Sequence, residues 1–352
     1  MRLEQIVPGT RPPDALTGAV LTRDLSVAGA RWAKGRRLSA ADLEAVASVP
    51  AARPITVLVM EPGELHEDEA CRRLALAVTA GDPAAACLVE RGPSESRVNL
   101  HAAAAGVVEV RVPVVERLNR LDPIEVFSVF DGQVVAAGDL IASAKVGPHV
   151  VAASIVEAGE RIAARARGPV IRVRPFRPVR LAVLVKEHVT GMARERFEAS
   201  VGSKAAGLGA TLTGIDYVRD DADAVAEALA RVTRGRGAAQ IVLTAGGAST
   251  DPADAFYVAV ERLGGRIVRH GVPSHPGSML WLGRIGRAAI IGLPSCGAFS
   301  KATAADLLLP RLVAGQPATA ATVAKLGHGG ILTRSQRFRF PAYARNLDAP
   351  DG

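Results

Sequence analysis

Small, polar and acidic residues concentrate in one stretch of the sequence. Thr244 is followed by Gly246 and Gly247, and the stretch ends in Asp251 and Asp254. Adjacent glycines let the backbone approach a ligand closely, and exposed N–H groups beside a helix N-terminus attract phosphate. An acidic residue at the start of a helix can also simply cap it. The pattern therefore predicts a loop that binds an anion, with helix capping as the alternative role of Asp254.

Two more loops rich in Pro, Gly and Ser follow along the chain. They span residues 273–277 and 293–297, and each follows a short apolar run that is typical of a strand. Open parallel sheets bind ligands at the carboxyl ends of their strands, so special loops at successive strand ends strengthen the prediction of a site. The expected elements around these loops are strands at 240–244, 266–268 and 288–292 and a helix at 255–263.

The whole region from Leu181 to Gly315 alternates strand-like and helix-like segments. This spacing favours a parallel, doubly wound α/β sheet with helices on both faces, in three layers. The linker before it is predicted at 170–180, a basic segment that follows Pro169 and contains Pro175 and Pro178. The further expected elements are strands at 181–185 and 211–217 and helices ending near 208, at 220–232, 301–314 and 316–331.

The preceding half of the chain predicts smaller α/β and β-rich units. We divide the chain into a strand-helix segment at 1–50, an accessory region at 51–168, the α/β domain at 179–332 and a frayed basic tail at 333–352. Asp131-Gly132 has the composition of a hairpin turn. The expected elements are strands at 18–25, 55–60, 107–112, 125–130 and 133–141 and helices at 40–47 (capped by Ser39), 68–79 and 150–165.

A dense group of acidic residues and a histidine occupies positions 61–69. Carboxylates are ligands of hard cations, but acids also stabilise a helix N-terminus, and the sequence favours this second, structural interpretation.

Composition narrows the class of protein. The chain has 352 residues and a formal net charge of +8, which suits an anionic small molecule. No basic stretch interleaved with aromatic residues indicates a nucleic-acid surface. Three cysteines without metal-like spacing suit a reducing cytoplasm, and no apolar run reaches the length of a membrane span. We therefore expect a cytoplasmic protein that binds neither nucleic acid nor a membrane.

The motifs after residue 243 resemble those of the molybdopterin-binding domain that molybdopterin molybdotransferases and molybdopterin adenylyltransferases share. That family has a strand followed by T-(S/T)-G-G-x-(S/G), an acidic residue that opens a helix, then P-G and later L-P-G. The matching residues here are Thr244-Ala245-Gly246-Gly247-Ala248-Ser249, Asp254, Pro276-Gly277 and Leu293-Pro294. Residues 18–47, with a strand, a K-G-x-x-L turn and a capped helix, and residues 98–147 resemble the segments that accompany this domain in molybdotransferases.

The resemblance implies a ligand and a set of roles. The ligand is molybdopterin or its adenylate, and the phosphate would be held by Thr244, Gly246, Gly247, Ala248 and Ser249. Asp251 and Asp254 would hold Mg²⁺ or orient water, and Glu187 takes the place of a further family acid. Pro276, Gly277, Ser278, Pro294 and Ser295 would line the pterin.

Several positions depart from the family pattern. Ser278 stands where molybdotransferases have Lys, and Ser295 stands where they have Gly. The T-G-(D/E)-E-L motif is replaced by Lys186-Glu187-His188-Val189, whose Lys186 and His188 add cationic character that suits phosphate or molybdate.

Three functions follow from the resemblance. The first is a molybdotransferase, which places molybdate on the dithiolene while the adenylate is hydrolysed. The second is a non-catalytic carrier or sensor of molybdopterin or of the finished cofactor, which the departures favour. The third is adenylyl transfer from ATP to molybdopterin. The resemblance also implies a homodimer and other molybdenum cofactor enzymes as partners.

Overall fold

The structure is a computed structural model. It describes residues 1–50, 53–94, 96–186, 189–247, 249–293 and 302–345. The chain divides into two compact units. The amino-terminal unit comprises residues 1–104, 108–131 and 137–173, and the carboxy-terminal unit comprises residues 105–107, 132–136 and 174–352.

Fourteen strands and four helices lie in the described residues between 2 and 175. The sheets have the strand orders β1-β5-β2, β10-β12-β8-β7, β11-β9-β14, β13-β6 and β3-β4. The strands are β1 (Arg2–Ile6), β2 (Val20–Leu21), β3 (Leu25–Val27), β4 (Ala30–Trp32), β5 (Ile55–Val59), β6 (Glu64–His66), β7 (Leu88–Ser94), β8 (Arg97–Ala102), β9 (Gly106–Val110), β10 (Ile124–Ser128), β11 (Val134–Val135), β12 (Leu140–Val146), β13 (Val150–Ala152) and β14 (Ile171–Pro175). The helices are α1 (Ala40–Ala47), α2 (Glu67–Val78), α3 (Val112–Leu118) and α4 (Ala153–Ala164), with a 3₁₀ helix at Asp14–Leu16.

Helix α1 begins as the sequence predicts. The Ser39 hydroxyl accepts from the Asp42 N–H, and the Asp42 carboxylate accepts from the Ser39 N–H, so both form a capping box. The apolar face of α1 buries Leu43 and Val46 in a cluster with strand residues such as Val57.

The prediction of a β-hairpin at Asp131-Gly132 is wrong. Strand β10 pairs antiparallel with β12, and β11 pairs with β9, so the segments on either side of this turn belong to different sheets. The strands β7 and β8 were not predicted. Period-two alternation indicates a strand but does not identify its partner, which the surrounding packing selects.

The proposed linker also contains a strand, since β14 buries Ile171 and Val173.

The carboxy-terminal unit contains one six-stranded sheet in the order β16-β15-β17-β20-β19-β18. Strands β16, β15, β17 and β20 are parallel. Strand β19 pairs antiparallel with β20, and β18 pairs antiparallel with β19, so β18 runs in the same direction as β20. The strands are β15 (Arg180–Val185), β16 (Thr211–Tyr217), β17 (Ile241–Ala245), β18 (Arg266–Arg269), β19 (Trp281–Ile285) and β20 (Ala288–Gly292). The helices are α5 (Gly191–Gly207), α6 (Ala222–Thr233), α7 (Ala255–Arg262), α8 (Ala304–Val313), α9 (Ala320–Ala324) and α10 (Ala342–Arg345), with a 3₁₀ helix at Arg334–Arg339.

Alternate residues of the central strands face opposite helical layers. On one face Leu181 and Val183 of β15 pack in a cluster with Phe197 of α5. On the other face Ala182 and Leu184 pack in a cluster with Phe256 of α7. Burial of each large apolar side chain contributes about 2 kcal/mol, which is why the strands are apolar throughout. The predicted three-layer α/β fold is confirmed.

The edge of this sheet differs from the prediction. Strand β19 was not predicted. It lies between β18 and β20 and is antiparallel to both, so β18 keeps the predicted direction but pairs with β19. Ile285 lies opposite Ala288, so only Gly286 and Arg287 connect β19 to β20, and Gly286 has a φ of +54°. A two-residue turn with Gly in the left-handed region joins antiparallel strands, because a parallel crossover needs a much longer connection.

Two predictions near the end of the chain also differ from the structure. The helix expected at 316–331 is reduced to α9, because Gly327, Gly329 and Gly330 follow it. Where the sequence suggests a frayed tail, Phe340 and Ala344 are buried in the core of the carboxy-terminal unit. None of the helices in the described ranges combines the length and apolarity that a bilayer crossing requires.

Candidate functional site

The glycine loop, the end of β15 and the 273–280 loop meet at one edge of the sheet. Val185, the last residue of β15, lies opposite Ala245, which immediately precedes Gly246. Trp281 lies opposite Gly292, the last residue of β20. Because β19 is antiparallel, the loop that precedes it lies at the carboxyl ends of β17 and β20. The sequence predicts these loops at one edge from strands that run in the same direction. Strand β18 does run in the same direction as β20, because β19 between them is antiparallel to both, so the position of the 273–280 loop agrees with that prediction.

The glycine loop depends on two different properties of its glycines. Gly246 has a φ of +88°, which an L side chain rarely adopts. Gly247 would place a Cβ 3.4 Å from Phe256 Cδ2 and 3.6 Å from Trp281 Nε1, which is ordinary contact distance. The loop therefore lies directly on aromatic side chains and needs a glycine conformation at its first position.

Tyr257 contacts the glycine loop at Ser249. Its hydroxyl donates to the Ser249 carbonyl at 3.3 Å. Its ring packs edge-on against Trp281, with 5.1 Å between centroids, and against His270 at 5.0 Å. Burial, with a smaller contribution from Asp254, raises the pKa of Tyr257 to about 12. The phenol consequently stays protonated and keeps donating at any physiological pH.

Asp254 caps helix α7, as the structural interpretation predicts. Its Oδ1 accepts from the Phe256 N–H at 2.9 Å, and its Oδ2 accepts from Lys186 Nζ at 2.8 Å. The side chain is only 2% exposed. Both carboxylate oxygens of Asp254 therefore have partners within the protein.

Lys186 holds two carboxylates at the end of β15. Its ammonium contacts Asp254 and also Asp220 Oδ1, each at 2.8 Å, and it lies 5.6 Å from the centre of the Phe256 ring. Burial lowers the pKa of Lys186, but the hydrogen bonds to Asp220 and Asp254 outweigh burial, and the pKa is raised. Lys186 is therefore a permanent buried cation.

The two carboxylates expected to hold Mg²⁺ do not fit that ion in this arrangement. Asp251 is exposed, and its Oδ1 accepts from the Ala253 N–H at 2.9 Å. A divalent cation bound to Asp254 would lie about 5 Å from the Lys186 ammonium, a repulsion of roughly 6 kcal/mol at an effective dielectric constant near 20. Within the described ranges no three His, Cys, Asp or Glu side chains are grouped to hold a metal ion.

The Pro276-Gly277 loop packs against the start of helix α8. The Pro276 carbonyl accepts from the Ala304 N–H at 2.9 Å, and Gly277 has a φ of +104° with no room for a Cβ beside Ala304. Both loop residues are buried, whereas Ser278 is half-buried. The loop is thus anchored through its backbone, and Ser278 is its more accessible member.

Thr244 is buried within β17, where its hydroxyl donates to the Ile291 carbonyl at 3.5 Å. Four of the predicted site residues lie outside the described residues: Glu187, Ala248, Pro294 and Ser295.

Three residues of the site were missed from sequence. Asp220 follows the end of β16 by three positions, and a polar residue after a strand was a usable signal. Trp281 and Tyr257 form the aromatic floor under the glycine loop. Trp281 was missed because strand β19 was missed, and Tyr257 carries no sequence signal beyond its place in the first turn of α7.

The acidic group at 61–69 makes structural contacts in the amino-terminal unit. The chain's terminal ammonium at Met1 pairs with Glu64. His66 caps α2, its Nδ1 accepting from the Asp68 N–H at 3.2 Å, and Glu67 pairs with His149 at 3.0 Å. These contacts agree with the structural interpretation of the group.

Comparison with known proteins gives a family for part of the chain. Residues 182–314 match the family described as the probable molybdopterin binding domain. Similar solved structures include the molybdopterin biosynthesis MoeA protein from Pyrococcus horikosii, with 16% identity over 65% of this chain and 69% of that chain and a TM-score of 0.30. Another is molybdenum cofactor biosynthesis protein B, with 18% identity over 43% of this chain and 93% of that chain and a TM-score of 0.28.

No curated protein matches the sequence. TM-scores this low carry no argument, so the assignment rests on the family match and on the motifs that lie inside it. The domain at residues 182–314 therefore matches the family described as the probable molybdopterin binding domain, as its motifs predict.

Proposed function

We propose that the carboxy-terminal unit binds molybdopterin or its adenylate at this edge of the sheet. One observation carries the proposal: the glycine loop, the N-terminus of α7 and the 273–280 loop lie together at the carboxyl ends of β17 and β20. This is the position at which open α/β sheets bind ligands.

The phosphate of the ligand would lie against the glycine loop. N–H groups of Gly246, Gly247 and Ser249 and the positive end of the α7 dipole are suited to an anion there. Ser278 would contact the rest of the ligand from the neighbouring loop. Contacts from Ala248, Pro294, Ser295 and Glu187 are part of the proposal by resemblance to the family.

The activity that we propose first is molybdotransferase-like. The protein would place molybdate on the dithiolene while the adenylate is hydrolysed and AMP is released. Backbone donors at the glycine loop would stabilise negative charge that develops on the phosphate, because preorganised donors need no rearrangement during the reaction.

A non-catalytic carrier or sensor of molybdopterin is the second candidate. The ion pair between Lys186 and Asp254 favours it, because both oxygens of this carboxylate already have partners. A carboxylate in that state holds the loop and the helix together and is poorly placed to activate water.

Titration of the full chain with molybdopterin and its adenylate tests the proposal. The variant Gly247→Val should weaken binding by at least about tenfold, because its branched side chain fills the loop against Phe256. Gly202→Ala in α5 is the matched control, since its added Cβ meets no atom within 4 Å. Binding should be unchanged in this control.

Turnover then separates the two candidates. AMP release from the adenylate in the presence of molybdate, lost in Asp254→Asn, supports the transferase. Tight binding without AMP release supports the carrier or sensor. If the wild-type protein binds neither compound, the proposed function is wrong.

A further inference from the structure

Lys186 occupies a position where the family resemblance leads one to expect a different group. The chain has Lys186 at the end of β15, whereas molybdotransferases have T-G there, and the ammonium contacts Asp254 and Asp220 at 2.8 Å. The side chains of Lys186 and Asp254 are 4% and 2% exposed, so this ion pair is shielded from solvent.

The groups around the Lys186 ammonium are of the kinds that line a cation-binding site. Two carboxylates from different loops converge on it, one after β16 and one at the start of α7. The face of Phe256 lies on a third side, 5.6 Å away, where an aromatic ring attracts positive charge. Convergent carboxylate oxygens are also the ligands that a divalent cation prefers.

We propose that the Lys186 ammonium takes the place of a divalent cation at Asp254, so that this domain holds its phosphorylated ligand without Mg²⁺. Lysine supplies one fixed positive charge where a metal would supply two. Its charge holds the Asp254 carboxylate, which caps α7 and so orients the helix N-terminus behind the glycine loop. Lys186 is thus a positioning residue for the phosphate-binding loop.

Mn²⁺ binding followed by electron paramagnetic resonance tests this inference on the full chain. The wild type and Lys186→Arg, which keeps the charge, should show no saturable binding at millimolar Mn²⁺. Lys186→Met removes the charge at similar length and leaves two carboxylates facing each other, so it should bind Mn²⁺ at least about tenfold more tightly. Lys186→Met/Asp254→Asn should lose that gain.

Two results would overturn the inference. One is saturable Mn²⁺ binding by the wild type that Asp254→Asn abolishes, since the metal site would then exist beside the lysine. The other is a folded Lys186→Met variant that binds Mn²⁺ no better than the wild type. Should Lys186→Met fail to fold, as its circular dichroism would reveal, the wild-type titration alone decides between the two outcomes.

A second measurement uses the ligand and rests on the proposed function. Molybdopterin affinity of the wild type should change by less than about twofold between excess EDTA and millimolar Mg²⁺. A loss of affinity in EDTA of about tenfold or more contradicts metal-independent binding. Failure to bind molybdopterin at all counts against the proposed function, whereas the Mn²⁺ result still decides the role of Lys186.

Discussion

Gly246 and Gly247 are adjacent, but the backbone conformation distinguishes them. Gly246 has a φ of +88°, so Gly246→Ala should lower the free energy of unfolding by about 1–2 kcal/mol. Gly247→Ala is the matched control: its Cβ lies 3.4 Å from Phe256, and it should cost less than about 0.5 kcal/mol. Urea denaturation measures both values. Equal losses in the two variants would show that backbone conformation does not distinguish these positions.

Asp42 makes the stability of the amino-terminal unit depend on pH. Burial alone would raise its pKa, but hydrogen bonds from Arg36 and Ser39 outweigh burial and lower the pKa. A carboxyl whose pKa is lower in the folded state stabilises that state above the unfolded pKa of about 4, and this contribution is lost as the pH falls through the folded pKa.

Asp42→Asn should therefore lower the free energy of unfolding by about 1–2 kcal/mol at neutral pH. The difference between wild type and variant should shrink as the pH falls below about 4, where the wild-type carboxyl takes up its proton. Denaturation curves over a pH series measure this difference. A difference that is constant with pH would rule out the charge as its origin.

At the scale of elements, a buried ion pair joins two helices of the carboxy-terminal unit. Lys204 of α5 pairs with Asp306 of α8, and the two side chains are 3% and 0% exposed. The Tyr343 ring of α10 lies 5.3 Å from the ammonium, and burial raises the pKa of Tyr343 well above its usual range. The pair therefore ties α5 to α8 beneath the C-terminal helix.

Lys204→Met should lower the free energy of unfolding by about 3–5 kcal/mol, because it leaves the Asp306 carboxylate buried without its counter-charge. Arg194→Met on the same helix is the matched control, since Arg194 pairs with Glu198 at the surface and is 52% exposed. This variant should leave the free energy of unfolding nearly unchanged, because exposed ion pairs contribute little. Similar losses in the two variants, measured by urea denaturation, would contradict a special role for the buried pair.

For the whole molecule, the exposed apolar residues bear on self-association. Val89, Phe127 and Leu140 of the four-stranded sheet in the amino-terminal unit are each about half exposed. Exposed apolar surface of this kind is typical of an interface, and the family resemblance also implies a homodimer.

We therefore predict a homodimer at micromolar concentration, measured by light scattering after size exclusion. Phe127→Asp should give monomers, because it puts a charge into the interface. Met192→Asp is the control, because Met192 is exposed on α5 of the other unit, and it should leave the dimer intact. Only monomer in the wild type would contradict the prediction.

The sequence by itself determined much of the α/β domain. Strands β16 and β20 have the bounds that were predicted, 211–217 and 288–292. Ser39 and Asp254 cap the helices that they were expected to cap, since capping depends on neighbours a few residues away. The glycine loop was predicted from residue type alone.

Only the tertiary structure decided which distant residues meet. Strand β10 pairs with β12 although β11 is nearer in sequence, and β19 forms a hairpin with β20. Lys186 meets Asp254 across 68 positions of sequence. A buried charge takes its partner from whichever chain segment packs beside it, and local sequence carries no signal for that choice. The sequence therefore predicted an anion-binding edge, whereas the fold placed a lysine where a metal ion was expected.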